Sequence, residues 1–340
     1  MVGRKSIFLA VIILVMAMTF WGCGPKEISN GDSNDLEGEK VFKIGISQLA
    51  EHAALDEARE GFIDGLALEG FKEGDNISID IQNAQGEIPT SQLIAQNLVS
   101  QKVDLIFAIA TPAAQSAFNA TKDIPIVFTA VTDPVEAGLA ESWKSSNTNV
   151  TGTSDAIPIR EQFALMLELA PEASKVGVLF NTSEVNSEVQ IKGIKDIAEE
   201  FNLEIVESGV TNANEIPQAL DAIIGKIDIL YTPTDNLIAS SMPIIVNKTS
   251  NKNIPVIGAE GAHVKAGALA TDGISYYELG LQSAKMAVEV LRGKKPAELP
   301  IYTMEEYELL INEDSARKLS IPIPDSLRNR GKLITGGANS

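Results

Sequence analysis

The stretch VDLIFAIATPAAQSAF (residues 103–118) returns in similar form as IDILYTPTDNLIASSM (residues 227–242). Each copy contains a short apolar run, a polar turn and a segment with helical periodicity. Each is followed by a run that contains Ile-Pro and ends in a second polar turn, in KDIPIVFTAVTDP (122–134) and KNIPVIGAEGA (252–262). Because alternating strands and helices are typical of parallel sheets built from βαβ units, the repeat predicts two α/β lobes of the same topology.

The segments before each copy extend the repeat. FKIGISQ (Phe42–Gln48) and KVGVLFNTS (175–183) both have the pattern of a strand that leads into a helix. The chain beyond residue 41 has about 300 residues, which is more than one hydrophobic core usually serves. We therefore predict two similar doubly wound parallel-sheet lobes joined by three crossings of the chain.

Three segments are candidates for the crossings: NVTGTSD (149–155), ALATDGISYYELG (268–280) and a less clear one near 299–304. Gly152 and Gly273 lie where a hinge could absorb backbone rotation. The predicted first lobe comprises residues 42–153 with 272–303, and the second comprises 154–271 with 304–330. Residues 331–340 are expected to form a C-terminal tail.

The N-terminus has the pattern of a secretory signal, predicted over residues 1–23. Arg4 and Lys5 precede an uncharged apolar run (7–21) that is shorter than the ~20 residues of a membrane-spanning helix. Cys23 is the single cysteine and follows Gly22, as in the lipid-attachment site of a bacterial lipoprotein. The polar residues 24–41 are predicted to be a flexible tether. We expect export and a lipid anchor at the outer face of the cell membrane or in the periplasm; the alternative is an ordinary signal peptide cleaved nearby.

Composition argues against several classes of function. Asp and Glu outnumber Lys and Arg by 46 to 27, with a net charge of −19 and no basic run, which does not suit nucleic-acid binding. The only two histidines, His52 and His263, have no metal-type spacing with cysteine or carboxylates. No G-x-S-x-G, Walker or G-x-G-x-x-G motif occurs, so we expect neither an enzyme nor a cofactor or metal.

Ligands of open α/β sheets bind beyond the carboxyl ends of the strands, so the strand-to-helix turns are the candidate site. Free N–H groups at a helix start can hold a carboxylate, here at Thr111–Ala113 or Asn181–Ser183. Acids at the same turns, above all Asp155 or Asp235, can pair with an ammonium. The full set of candidate ligand contacts is Gln48, His52, Thr111, Pro112, Ala113, Thr132, Asp133, Asp155, Asn181, Thr182, Ser183, Asn186, Asp235, Asn236 and Glu260.

These turns favour a zwitterionic amino acid, because acids and bare helix starts occur with hardly a base beside them. For each turn taken singly, simple helix capping is the competing interpretation. A sugar or nucleoside receptor on the same scaffold is the main alternative, although Trp143 is the only tryptophan beyond the signal that could stack on a sugar. A sensor module that reports ligand to a partner receptor also remains open.

A set of motifs resembles a known family. They are ISQLAEHAALDEAREGFIDGL, ATPAAQ, AVTDPVEAGL, NVTGTSD, NTSEVNS, TPTDN and GAEGAHVKAGALATDGISYYELG. In this order, over residues 42–323, they resemble the ABC transporter substrate-binding lipoproteins that include binders of tryptophan and other aromatic amino acids. The resemblance implies a type I periplasmic binding fold. It also implies a monomer that delivers an amino-acid-like solute to a membrane permease and its ATPase.

Overall fold

The computed structural model describes residues 40–337, so the predicted signal, Cys23 and most of the predicted tether lie outside the described residues. The strands are β1 (Phe42–Gln48), β2 (Ile77–Asn83), β3 (Leu105–Ile109), β4 (Ile126–Thr129), β5 (Val150–Ser154), β6 (Lys175–Asn181), β7 (Glu204–Val210), β8 (Ile229–Thr232), β9 (Val256–Gly258), β10 (Ala270–Gly273), β11 (Tyr302–Thr303), β12 (Glu308–Asn312) and β13 (Lys332–Ile334). The helices are α1 (Ala53–Leu68), α2 (Ile88–Ser100), α3 (Thr111–Ala120), α4 (Ile159–Leu169), α5 (Val185–Glu200), α6 (Ile216–Ile223), α7 (Asn236–Ser250), α8 (Gly261–Lys265), α9 (Tyr276–Leu291), α10 (Glu313–Lys318) and α11 (Asp325–Arg330), with short 3₁₀ turns at Ala213–Glu215 and Pro296–Glu298.

The first lobe is built on a parallel sheet in the order β11-β5-β4-β3-β1-β2. Every residue of β3, with the sequence LIFAI, is buried, as expected for a strand covered by helices on both faces. Helix α9 comes late in the chain yet packs against α1 in this lobe. Their close approach requires glycine, because a Cβ at Gly61 would lie 2.1 Å from the Tyr277 carbonyl oxygen.

The second lobe is built on a sheet in the order β13-β12-β10-β9-β8-β6-β7. Its strands pair in parallel except for β12, which runs antiparallel to β10. Strand β13 lies in the segment that we expected to be a C-terminal tail, and it pairs with β12. The predicted fold class of two parallel-sheet α/β lobes is confirmed, with this one antiparallel strand pair among the described residues.

The chain passes between the two sheets at 155–158, at 274–275 and at 304–307. The second passage lies inside the stretch predicted for it, whereas the first and third begin later than predicted because β5 and β11 belong to the first sheet. Gly152, expected to be a hinge, lies inside β5. A Cβ there would lie 2.1 Å from the Phe128 carbonyl oxygen, so this glycine serves strand packing.

Within residues 40–337, no helix combines the length and the apolar character that crossing a membrane would demand.

Candidate ligand-binding site between the lobes

A small enclosed cavity lies where the carboxyl ends of the two sheets face each other. The first lobe lines it with His52, Leu55, Ala130, Asp155 and Tyr276, and the second lobe with Asn186, Thr234, Asp235, Asn236 and Glu260. Its volume is about 10 Å³, close to what one water-sized group occupies. No lysine or arginine is among these lining residues. The site is therefore a buried acidic chamber shared by both lobes.

Asp155 follows β5 and is the acid that the first lobe contributes. Only 4% of its surface is exposed. Its two carboxylate oxygens accept hydrogen bonds from the hydroxyls of Thr132 and Tyr276, both at 2.9 Å. Burial raises the pKa of Asp155 to about 6, and the negative charge of Glu260 adds to the rise, while the two hydroxyl donors oppose it.

Glu260 follows β9 and faces Asp155 from the second lobe, with 2% of its surface exposed. Its Oε1 atom is 3.1 Å from His263 Nε2, so this oxygen already faces a ring nitrogen of its own lobe. Burial alone raises the pKa of Glu260, but the nearby His263, with His52, more than offsets it, and the pKa lies below its usual range.

Asp235 occupies the N-cap of α7, which agrees with the competing interpretation of this turn as a simple helix cap. Oδ1 accepts the backbone N–H of Ile238 at 3.0 Å, and Oδ2 accepts the Asn181 N–H at 2.5 Å and the Ser187 hydroxyl at 2.7 Å. Burial raises the pKa of Asp235 to about 7, and the charge of Glu184 adds to it. All three donors belong to the second lobe, so this carboxylate ties β6, α5 and α7 together.

Glu184 is a buried acid that the sequence analysis missed. Its carboxylate accepts side-chain amide hydrogens from three asparagines: Asn181 at 3.0 Å, Asn186 at 3.2 Å, and Asn236 in a short contact. The Asn186 amide nitrogen also donates to the Thr234 carbonyl at 3.1 Å, while its Oδ1 is buried without a partner. The sequence signal was hidden, because Glu184 directly follows a turn that reads as a helix cap.

Two polar contacts join the lobes at this site. His52 Nε2 lies 3.3 Å from Asn236 Oδ1, across the cleft. Nearer the surface, Lys265 on α8 forms an ion pair with Glu57 on α1. Beyond Asn236, the cleft widens into a mouth of about 610 Å³ between the 85–89 segment of the first lobe and the 211–214 segment of the second. Asn236 lines both the mouth and the enclosed cavity.

Some predicted contacts lie away from the enclosed cavity. Gln48 is buried beneath α1, where it bonds the Ala50 carbonyl and Asp56 and accepts from Arg59. Asp133 caps a turn through the N–H groups of Val135 and Glu136, and no helix follows it. Thr132 contacts Asp155 rather than the cavity. Thr182 is exposed, and Ser183 lines the cleft mouth.

The starts of α3 and α5 lie at or just after the two turns expected to hold the ligand carboxylate. Residue Ala110, not Thr111, is the N-cap of α3, and the Thr111 hydroxyl is buried without a partner at the first turn, beside Pro112 and Ala113. Helix α5 begins at Val185, so Asn181–Ser183 form the turn before it. Ala110 and Ala130 have φ of +86° and +56°, unusual for alanine, at the ends of two neighbouring strands. No sequence pattern marked these two positive φ angles.

Within the described part of the chain, no group of three or more His, Cys, Asp or Glu side chains has the arrangement of a metal site.

Two parallel-sheet lobes that face each other across a buried polar cavity define a solute-binding protein. The chain belongs to the ABC transporter substrate binding protein family, whose sequence model matches residues 43–333. It is therefore the solute-binding component of an ABC transporter, and such components of importers act outside the cytoplasm.

Three named or solved proteins are similar to this chain over most of its length. A tyrosine-binding protein from Clostridioides difficile strain R20291 is 48% identical over 325 residues, which cover 94% of each chain. The ABC domain from Streptococcus pneumonia in complex with L-Trp has a TM-score of 0.85 at 36% identity, covering 87% of this chain and 100% of that one. A ligand-free, open structure of a substrate binding protein with adhesive properties from Clostridium difficile has a TM-score of 0.67 at 47% identity, covering 87% and 99%.

The two solved neighbours also indicate how the lobes are arranged. The open structure is the more similar in sequence but the less similar in shape. Rotation of two lobes about a hinge produces this pattern, because each lobe matches while the pair does not. The lobes of this chain therefore lie nearer to the arrangement of the L-Trp complex than to the open one.

Proposed function

We propose that this chain binds an aromatic α-amino acid, with the ammonium group of the ligand in the enclosed cavity. The observation that carries the proposal is the match between that cavity and an ammonium group. The volume of about 10 Å³ suits one group of that size. Its walls offer the carboxylates of Asp155 and Glu260 and one buried acceptor without a partner, Asn186 Oδ1. An ammonium has three hydrogens to donate to them.

The electrostatics support the same assignment. Asp155 and Glu260 are buried close enough to raise the pKa of Asp155 by mutual repulsion. Burying two carboxylates without a lysine or arginine is costly unless a cation joins them. The ammonium supplies that charge. A neutral sugar would leave the Asp155 carboxylate without a cationic partner, which is why we place it second.

The ligand carboxylate is assigned to the start of α3. The hydroxyl of Thr111 is buried there without a partner, beside the first-turn amides that carry the positive end of the helix dipole. Helix α3 contacts α5 across the cleft, so the start of α5 is the second candidate. Neither assignment needs a basic residue.

The aromatic side chain follows from the relatives. One is named a tyrosine-binding protein, and a solved neighbour holds L-Trp. A ring exceeds the enclosed volume, so we propose that it extends toward the cleft mouth of about 610 Å³. Tyrosine and tryptophan are the first ligands to test.

We further propose that Cys23 carries a lipid and that the chain acts as a monomer that delivers its ligand to a permease and ATPase. Cys23→Ser should move the processed protein from the membrane fraction to the soluble one. Unchanged fractionation with the signal still removed would contradict the anchor.

Thermal-shift screening of residues 40–340 against the twenty amino acids, sugars and nucleosides tests the ligand class. A ligand that binds only the folded state raises the midpoint temperature. We expect the largest shifts with L-tyrosine or L-tryptophan, and recovery of the ligand unchanged, since we propose no catalysis. A larger shift with a sugar or nucleoside would overturn the proposal.

A further inference from the structure

We infer that Glu184 is a positioning residue that orients Asn186 toward the ligand and Asn236 toward the opposite lobe. The inference rests on the proposed function. It goes further in assigning a role to a buried acid that does not line the ammonium cavity.

The argument begins with the Asn186 amide. Its nitrogen has two hydrogens, and both are used, one on Glu184 at 3.2 Å and one on the Thr234 carbonyl at 3.1 Å. The amide therefore cannot rotate by half a turn without placing its oxygen against two acceptors. Its Oδ1 is held facing the cavity, where it is buried and has no partner. Glu184 thus creates one of the three acceptors assigned to the ammonium.

The same carboxylate orients Asn236. The Asn236 nitrogen donates to Glu184, which leaves Oδ1 as the atom 3.3 Å from His52 Nε2 in the first lobe. The oxygen can only accept, so the His52 hydrogen lies on Nε2. One buried acid therefore sets both a ligand acceptor and the contact that joins the lobes over the ligand.

Glu184 has little reason to be buried for stability alone. It is 4% exposed, and its charge adds to the rise that burial causes in the pKa of Asp235. Three amide donors compensate its burial, and all three belong to asparagines of the second-lobe face. A carboxylate accepts from all of them, whereas a glutamine would present a donor to at least one.

Calorimetry with L-tyrosine tests the inference on wild type, Glu184→Gln, Asn186→Asp and the double variant. Glu188→Gln, an exposed residue one turn along α5, is the matched control. We expect Glu184→Gln to weaken binding by roughly tenfold or more, because a buried acceptor loses its orientation. Asn186→Asp should weaken the binding of L-tyrosine by a similar factor, because it places a second carboxylate beside that of Glu184.

The double variant gives the readout that a merely structural role would not move. The amide introduced at position 184 donates to the carboxylate introduced at position 186, which relieves the repulsion between the two carboxylates, while the repulsion with the Thr234 carbonyl is the same in Asn186→Asp and in the double variant. We expect the double variant to bind at least about threefold more tightly than Asn186→Asp alone. This comparison stands even if Glu184→Gln by itself folds poorly.

The outcomes are distinguishable. If wild type does not bind L-tyrosine or L-tryptophan, the proposed function and this inference both fail. If wild type binds and Glu184→Gln matches the Glu188→Gln control, only the inference fails. Losses that simply multiply in the double variant also overturn it, because they would mean that Glu184 does not act through Asn186.

Discussion

The two faces of the cleft are acidic in different ways. On the second-lobe face, Asp235 and Glu184 each accept three hydrogen bonds from donors of their own lobe. On the first-lobe face, Asp155 accepts only two, from the hydroxyls of Thr132 and Tyr276. The second-lobe face is thus held in place before ligand arrives. Asp155 keeps a less compensated charge than Asp235 or Glu184, and we expect it to gain most from an ammonium.

The difference separates two aspartates that the sequence treated as alternatives. Asp155 and Asp235 both follow predicted strands, and either was expected to bind the ammonium. Asp235 is already used as a helix cap and as an acceptor for the Asn181 N–H and the Ser187 hydroxyl. We therefore assign the ligand contact to Asp155 and a scaffold role to Asp235.

The largest effect is expected from Asp155→Asn. Removing one partner of a desolvated charge pair costs about 2–5 kcal/mol, so the affinity for L-tyrosine should fall by roughly 30-fold or more. The ligand-free protein at pH 8 should at the same time become more stable, because a buried charge is removed. Calorimetry and urea denaturation measure the two effects. Asp133→Asn is the control, because Asp133 caps a turn outside the cavity and an asparagine can keep that cap. It should change neither the affinity for L-tyrosine nor the stability.

Asp235→Ala should act mainly on stability. It removes a helix cap and leaves buried donors unpaired, so we expect the free energy of unfolding to fall by about 2 kcal/mol. Urea denaturation checks this. The comparison of the two faces would fail if this variant kept wild-type stability and lost binding as completely as Asp155→Asn.

The pH dependence follows from the pKa of Asp155, raised to about 6 mainly by burial. An ammonium binds the ionised carboxylate, so a proton competes with the ligand as pH falls through this value. Affinity should then decrease by up to about tenfold per pH unit, and Asp155→Asn should flatten the profile. Glu260, His52, Asp235 and Tyr276 also face this carboxylate. A wild-type profile that is flat from pH 8 to pH 5 would contradict the assignment.

Ligand-free stability should have the opposite trend with pH. Asp155 and Asp235 have folded-state pKa values of about 6 and about 7, above the ordinary value of 3.8. The folded state therefore binds these protons more tightly than the unfolded state. Their contribution is fully present below pH 3.8 and is lost as pH rises through 6 and 7. Urea denaturation between pH 5 and pH 8 should show wild type losing more stability than Asp155→Asn.

The smallest effect is expected at the outer contact between the faces. Lys265 and Glu57 are partly exposed, and such ion pairs contribute about 1 kcal/mol at most. Lys265→Met should therefore weaken ligand binding by no more than about fivefold, and added salt should reduce the difference. A loss as large as that of Asp155→Asn would mean that lobe closure, rather than the buried acids, determines affinity.

The repeated pattern in the sequence was enough to predict the fold and part of the candidate site. Two copies of strand, turn and helix were enough to predict the two lobes, and His52, Asp155, Asn186, Asp235, Asn236 and Glu260 were all found lining the cavity. Their position follows from topology, since the carboxyl ends of parallel strands share one edge.

The sequence could not predict contacts that depend on three-dimensional pairing. Nothing local shows that Glu184 meets three asparagine amides, two of them on its own turn and one on α7. The hydrogen bond from the Tyr276 hydroxyl to Asp155 spans 121 residues of sequence. Nothing in the sequence shows that Ala110, with φ of +86°, takes the N-cap position of α3 and leaves the Thr111 hydroxyl in the first turn.

The central claim is that the buried acids of the closed cleft hold an ammonium group. Calorimetry of the wild-type protein at pH 8 with L-tyrosine and with 3-(4-hydroxyphenyl)propanoate tests it most directly, because the two molecules share the ring and the carboxylate and differ in the ammonium. We predict that the compound without the ammonium binds at least about 30-fold more weakly, since Asp155 then remains without a cationic partner. Binding of the two compounds within about threefold of each other would contradict the account.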